Sequence, residues 1–212
     1  NVKGIGSWSL TGTAAEALSK KFTEMQDDSE VTAGFMWQKT TRESKKYQLR
    51  GEKLSFIPVE KNVEVMLVTI TNTGRMAQTV TPTAAIPLYG RSADNIRDHR
   101  HVTSLLHRIE TTDTGVLVTP TLSFDERGHQ VNHMTYYCVG WSGNGEKPVD
   151  FYPTAEDFVG VGGNFERPYV IVKNAEGVKA GTRIEGLEAV GGLHFSEVTL
   201  EPEEECSYLI FT

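Results

Sequence analysis

The chain has 212 residues, of which 38% are hydrophobic and 23% charged, with a formal net charge of -7. That balance excludes disordered and fibrous classes and fits one large all-β domain, long enough to bury a sizeable core. Excess acid disfavours nucleic acid and anionic membranes, which reward positive surfaces, and no apolar run approaches the roughly 20 residues that span a bilayer.

The opening residues, NVKGIGSWSL, lack the basic start and apolar core of a secretory signal and read as extended. Ala14 to Met25 predicts a helix, because Ala14, Leu18 and Phe22 fall four apart on one face. Gly34 to Lys39 resumes extended structure, and Ser44 to Leu49 continues it. Leu54 and Phe56 alternate with Ser55 and Ile57. Val63, Val65, Leu67 and Thr69 then alternate with Glu64, Met66, Val68 and Ile70, so this strand is apolar on both faces and predicted to be central. TNTG, residues 71–74, is a turn.

Gln78 to Leu88 reads as a strand whose Pro82 and Pro87 cannot donate to a ladder, which suits an edge or a bulge. His101 to Glu110 has helical spacing, yet TTDTG and VLVTPTLSF after it read as a turn and return strand, which predicts a hairpin. Asn132 to Trp141 is a strand by its aromatic content. Tyr152 to Pro168 holds Gly160, Gly162 and Gly163 and is predicted irregular, with a helical turn near Thr154 to Phe158. Tyr169 to Val172, Leu193 to Leu200 and Cys206 to Thr212 complete ten or more short strands, which together predict an antiparallel two-sheet β-sandwich with one or two short helices. The last strand runs flush to Thr212, so the chain is expected to be part of a longer one.

Polar chemistry concentrates between Pro87 and Glu110, PLYGRSADNIRDHRHVTSLLHRIE, where residues 91–108 hold four arginines, three histidines and two aspartates. In an acidic chain this is a basic island, suited either to binding an anionic or hydroxyl-rich ligand or to a solvated loop of surface ion pairs. Trp37, Trp141, Tyr89 and Tyr152 offer faces for stacking on a sugar ring or side chains for the core. No nucleophile elbow, HExxH or zinc-type cysteine spacing is present, and the GVGG run at 160–163 lacks the phosphate-binding fingerprints. No metal and no cofactor is expected. Cys138 and Cys206 sit in apolar runs and read as free thiols of a reducing compartment, a disulfide being the alternative.

Three stretches resemble the N-terminal domain of the family 94 glycoside phosphorylases, the cellobiose phosphorylase group formerly classed as glycosyltransferase family 36. They are FIPVEKNVEVMLVTITNTG (56–74), the run from NHMTYYCVG through DFYPTAEDFVGVGGNFERPYV (132–170), and LEPEEECSYLIFT (200–212). They follow the family's order and cover a little over half the chain, although Glu203 stands where the family often has glycine.

The resemblance implies a supersandwich of the galactose mutarotase-like type, joined to an (α/α)6 barrel that follows residue 212. In that family phosphate attacks the anomeric carbon of a β-linked glucosyl disaccharide or oligosaccharide with inversion, and an Asp of the barrel protonates the leaving oxygen. No catalytic residue is therefore assigned here. Inorganic phosphate is a co-substrate of the parent enzyme, which is expected to be bacterial, cytoplasmic and homodimeric. The resemblance directs Arg91, Asp94, Asn95, Arg97, Asp98, Arg100 and His101 toward the active-site entrance or the subunit interface. Two alternatives stay open. One is a free-standing carbohydrate-binding module stacking sugars on Trp37 or Trp141; the other is a mutarotase-like epimerase pairing His101 or His133 with Glu126.

Overall fold

The computed structural model describes residues 1–90, 103–125 and 128–212. Among them run sixteen strands, all paired antiparallel, and three short helices, one more than the sequence predicts. The larger layer is a nine-stranded sheet in the order β1-β2-β3-β4-β16-β11-β8-β7-β13. Its first four strands are β1 (Asp28–Gly34), β2 (Trp37–Ser44), β3 (Leu49–Phe56) and β4 (Val65–Asn72). They form a meander, and tight turns at Met36 (φ 60) and Gln48 (φ 49) replace the extended segments expected there. The rest are β16 (Glu205–Phe211), β11 (Tyr136–Ser142), β8 (Gly115–Pro120), β7 (His107–Thr111) and β13 (Arg183–Glu185). β4 lies inside the sheet, as its two apolar faces demand.

The opposing layer has three strands: β12 (Asp150–Thr154), β14 (Ala189–His194) and β6 (Thr83–Leu88). Gln78 to Leu88 is two strands rather than one. The chain breaks at Pro82, so that β5 (Gln78–Val80) pairs with β15 (Val198–Leu200) while β6 pairs with β14. Pro87 accordingly lies on an edge strand, where its missing N–H costs no ladder bond. A second ribbon joins β9 (Leu122–Asp125) to β10 (Gly128–Val131).

The main core fills the space between the two layers, with Val116, Val118, Cys138 and Leu193 fully buried among Ile109, Phe151, Tyr208 and Ile210. Each such side chain contributes roughly 1.5–3 kcal/mol by leaving water. The layers approach closely where β14 faces β11: a Cβ added at Gly191 would lie 2.2 Å from Cys138 Cβ. Cys138 and Cys206 are free. A smaller cluster of Val2, Tyr47, Leu49, Val80 and Leu200 packs under the β5–β15 ribbon.

The helix expected over 14–25 is only one turn, α1 (Ala15–Ser19), because its apolar side chains find nothing to cover. Leu18 is exposed, and Phe22 adopts a positive φ with its ring in solvent. The turn expected near Thr154 is α2 (Ala155–Val159). The β-branched run after Pro168 is a helix, α3 (Tyr169–Lys173), rather than a strand: Val170 is buried with Phe158 and Tyr152 against the outer side of the small sheet, and Asn174 ends the turn in the left-handed region. Before β7, residues 103–104 are helical, and before β11, residues 132–135 lie outside the ladder, so both strands begin later than predicted.

Candidate functional site

Residues 91–102 carry Arg91, Asp94, Asn95, Arg97, Asp98, Arg100 and His101, all of which lie outside the described residues. Their frame is described. The chain leaves the small sheet at Leu88, the end of β6, and re-enters the large sheet at His107, the start of β7. The basic segment therefore connects one layer of the sandwich to the other. On the return side Thr103, Ser104 and His107 are buried. His107 Nδ1 lies 3.1 Å from the Leu187 carbonyl, which can only accept, so Nδ1 carries the proton. Burial holds this imidazole below its ordinary pKa, against the opposing pull of the Leu187 and Gly90 backbone and the Glu188 carboxylate. A cavity of about 20 Å³ beside it is lined by Tyr89, Thr103, Ser104, Phe165 and Glu188.

The two tryptophans proposed from sequence lie on one surface, the outer face of the nine-stranded sheet. Strand register explains why. Trp37, Phe56, Val65, Phe211 and Val139 stand directly opposite one another across five strands. Two residues along, Lys39, Leu54, Leu67, Leu209 and Trp141 form a parallel row. The row beyond is polar, with Thr41, Glu52, Thr69 and Ser207. None of the ten residues in the first two rows joins a core cluster.

Trp37 is 40% exposed and its indole lies across Gly34, where an added Cβ would fall 2.3 Å from Nε1. Trp141 is half-buried, edge-on to Phe211 at 5.9 Å. Phe56, Leu67 and Phe211 were not singled out from sequence; the β2-β3-β4 meander sets Phe56 and Leu67 beside Trp37, and β16 pairing between β4 and β11 adds Phe211 and reaches Trp141. Tyr152 belongs to the core.

A second constellation had no sequence signal. Asp150 and His194 are register partners on β12 and β14, with Nδ1 2.6 Å from the buried Asp150 carboxylate. Tyr152 stacks beside the imidazole and donates to the Ala175 carbonyl. His133 is exposed, while Glu126 and His101 lie outside the described residues. Among the described residues no three His, Cys, Asp or Glu side chains gather in a metal-binding arrangement, and no helix is long and apolar enough to cross a membrane. A largely apolar cleft of about 380 Å³ opens between the layers beside Trp8, Met66, Ile86, Phe158 and Phe195; among the described residues, none selected from sequence lines it.

The family model described as the glycosyl hydrolase 94 supersandwich domain matches residues 7–212. The chain belongs to this family. No curated protein matches the sequence. A glycosyl hydrolase 94 supersandwich is a non-catalytic, all-β part of a carbohydrate-active enzyme, and the two-layer architecture fits it. The Asp150 carboxylate paired with His194 is buried. Among the described residues of this glycosyl hydrolase 94 domain, the outer rows present exposed aromatic side chains at Trp37 and Phe56.

Proposed function

We propose that this chain is the accessory sandwich of a glycoside phosphorylase, an enzyme that uses inorganic phosphate to cleave a β-linked glucosyl disaccharide or oligosaccharide with inversion. The observation that carries this is the family match over residues 7–212. Chemistry falls to an (α/α)6 barrel of the same parent chain. The sandwich contributes carbohydrate contacts, the mouth of the active site and part of a homodimer interface in a bacterial cytoplasmic enzyme. Arg91, Asp94, Asn95, Arg97, Asp98, Arg100 and His101 supply that contact surface. Supporting this is their position in a segment joining the two sheets, together with a concentration of guanidinium groups suited to phosphate and sugar hydroxyls.

Arg97→Ala combined with Arg100→Ala in the enzyme bearing this domain is expected to lower kcat/KM for phosphorolysis at least about tenfold, or to dissociate the dimer. Unchanged phosphorolysis with an unchanged dimer removes the role given to the segment. A mutarotase-like epimerase would have to draw on His133, His101 and Glu126. Polarimetry of anomer interconversion by the chain separates that alternative from an inactive accessory domain.

A further inference from the structure

The outer face of the nine-stranded sheet divides sharply. Nine of the ten residues in the first two rows are apolar, Lys39 being the exception, and the next row is hydroxyl-bearing and charged. From strand spacing and rise, the two rows cover roughly 300 Å². The exposed apolar part is smaller, because Val65 in the first row is buried, and it centres on Trp37, Phe56 and Leu67, an exposed grouping of a kind that is often functional. It is well short of the roughly 800 Å² per partner of a stable protein interface. The patch therefore fits a ligand better than a subunit.

Its geometry selects the ligand. Trp37 covers Gly34 and is 40% exposed, and Phe56, its register partner on β3, is also exposed. A β-linked glucose chain carries its hydroxyls equatorially, so each ring presents flat C–H faces to an aromatic surface and polar edges to its sides. The edge chemistry is present. Lys39, two residues from Trp37 on the same face, holds Glu52 at 2.6 Å, which places a fixed donor and a fixed acceptor beside the aromatic pair. Both are partly exposed, so a ring hydroxyl can reach them. Across four strand intervals, about 19 Å, the rows end at Trp141.

We infer that the Trp37 end of this face is a second, non-catalytic saccharide site, which stacks a β-linked gluco-oligosaccharide on Trp37 and Phe56 and hydrogen-bonds it through Lys39 and Glu52. It rests on the carbohydrate reading above and deepens it, by giving the sandwich a binding surface separate from the basic segment. α-Linked glucans, which coil, lack the flat ribbon the face accommodates.

Calorimetric titration of the chain with cellohexaose tests this, with maltohexaose as the coiled control. Wild type is expected to bind cellohexaose at least about tenfold tighter than maltohexaose. Trp37→Ala is expected to weaken that binding about tenfold, with Trp37→Tyr staying within about threefold of wild type and both variants keeping the parent thermal unfolding midpoint. No binding by the wild-type chain overturns the site, as does equal binding by wild type and by the Trp37→Ala and Phe56→Ala variants. Self-association that Trp37→Ala abolishes, without saccharide binding, makes the face a protein interface and also overturns it. Phosphorolysis by the parent enzyme is a separate measurement: activity without binding here sinks the second site alone, whereas absence of phosphorolysis sinks the reading beneath it.

Discussion

Glu16 shows how much local order rests on one carboxylate. Lys20 and Lys46 donate to Oε1 at 2.7 and 2.6 Å, and the Tyr47 hydroxyl donates to Oε2 at 2.6 Å, tying the one-turn α1 to the β2–β3 turn. These bonds hold the carboxyl well below its ordinary 4.5, at about 2. Because the folded value is depressed, the stabilisation is complete above the unfolded value and is lost as pH falls from about 4.5 to about 2. The group is about one-third exposed, so solvent screening reduces the effect to about 1 kcal/mol. Urea unfolding of wild type and Glu16→Gln between those pH values is expected to converge at the acid end and diverge toward neutrality. A larger residue-level effect belongs to His194. Replacing it with Leu strips the buried Asp150 of its hydrogen-bond donor and is expected to cost about 3 kcal/mol in urea unfolding, most of which His194→Leu with Asp150→Asn recovers.

Among the elements, α2 is the one whose start is fixed by a single side chain. Thr154 Oγ1 accepts from the Asp157 amide at 3.0 Å and donates to its carboxylate at 2.7 Å, within a buried site. Thr154→Ala is expected to lose about 1–2 kcal/mol, and Thr154→Ser to keep most of it, by thermal or urea unfolding. This turn was legible in the sequence, as were the alternation through β3 and β4 and the edge placement of Pro87, since each rests on local periodicity or a residue's own backbone preference; the reversal predicted at TNTG comes two residues later, because Thr71 and Asn72 still belong to β4. What was not legible depended on partners. YVIVK has β-branched residues that suit a strand, yet it becomes α3 because one turn puts Val170 against Phe158. The apolar face was half visible through Trp37 and Trp141. Phe56 and Leu67 join Trp37 through consecutive hairpins, whereas Phe211 and the link to Trp141 depend on non-consecutive pairings that no local pattern encodes. For the basic segment, chemistry was readable and its anchoring points are now known.

At the scale of the whole molecule, the two layers are spaced by what β14 lacks. Gly191 leaves room for Cys138, whose thiol lies against the Gly191 carbonyl and is pushed up to about 12 by burial. Gly191→Ala drives a methyl into Cys138 and is expected to destabilise the sandwich by about 3 kcal/mol or more, with accelerated alkylation of Cys138 as the layers part. Urea unfolding and iodoacetamide labelling of the native protein measure the two effects. The position of β16 also governs the order of assembly. It bridges β4, made early, and β11, made after residue 135, so until residues 205–211 have been synthesised the large sheet exists as two unjoined halves with bare inner rims. Chaperone capture or intermolecular pairing during translation should concentrate on those rims, and closure by a strand so distant in sequence makes the final folding step a slow one.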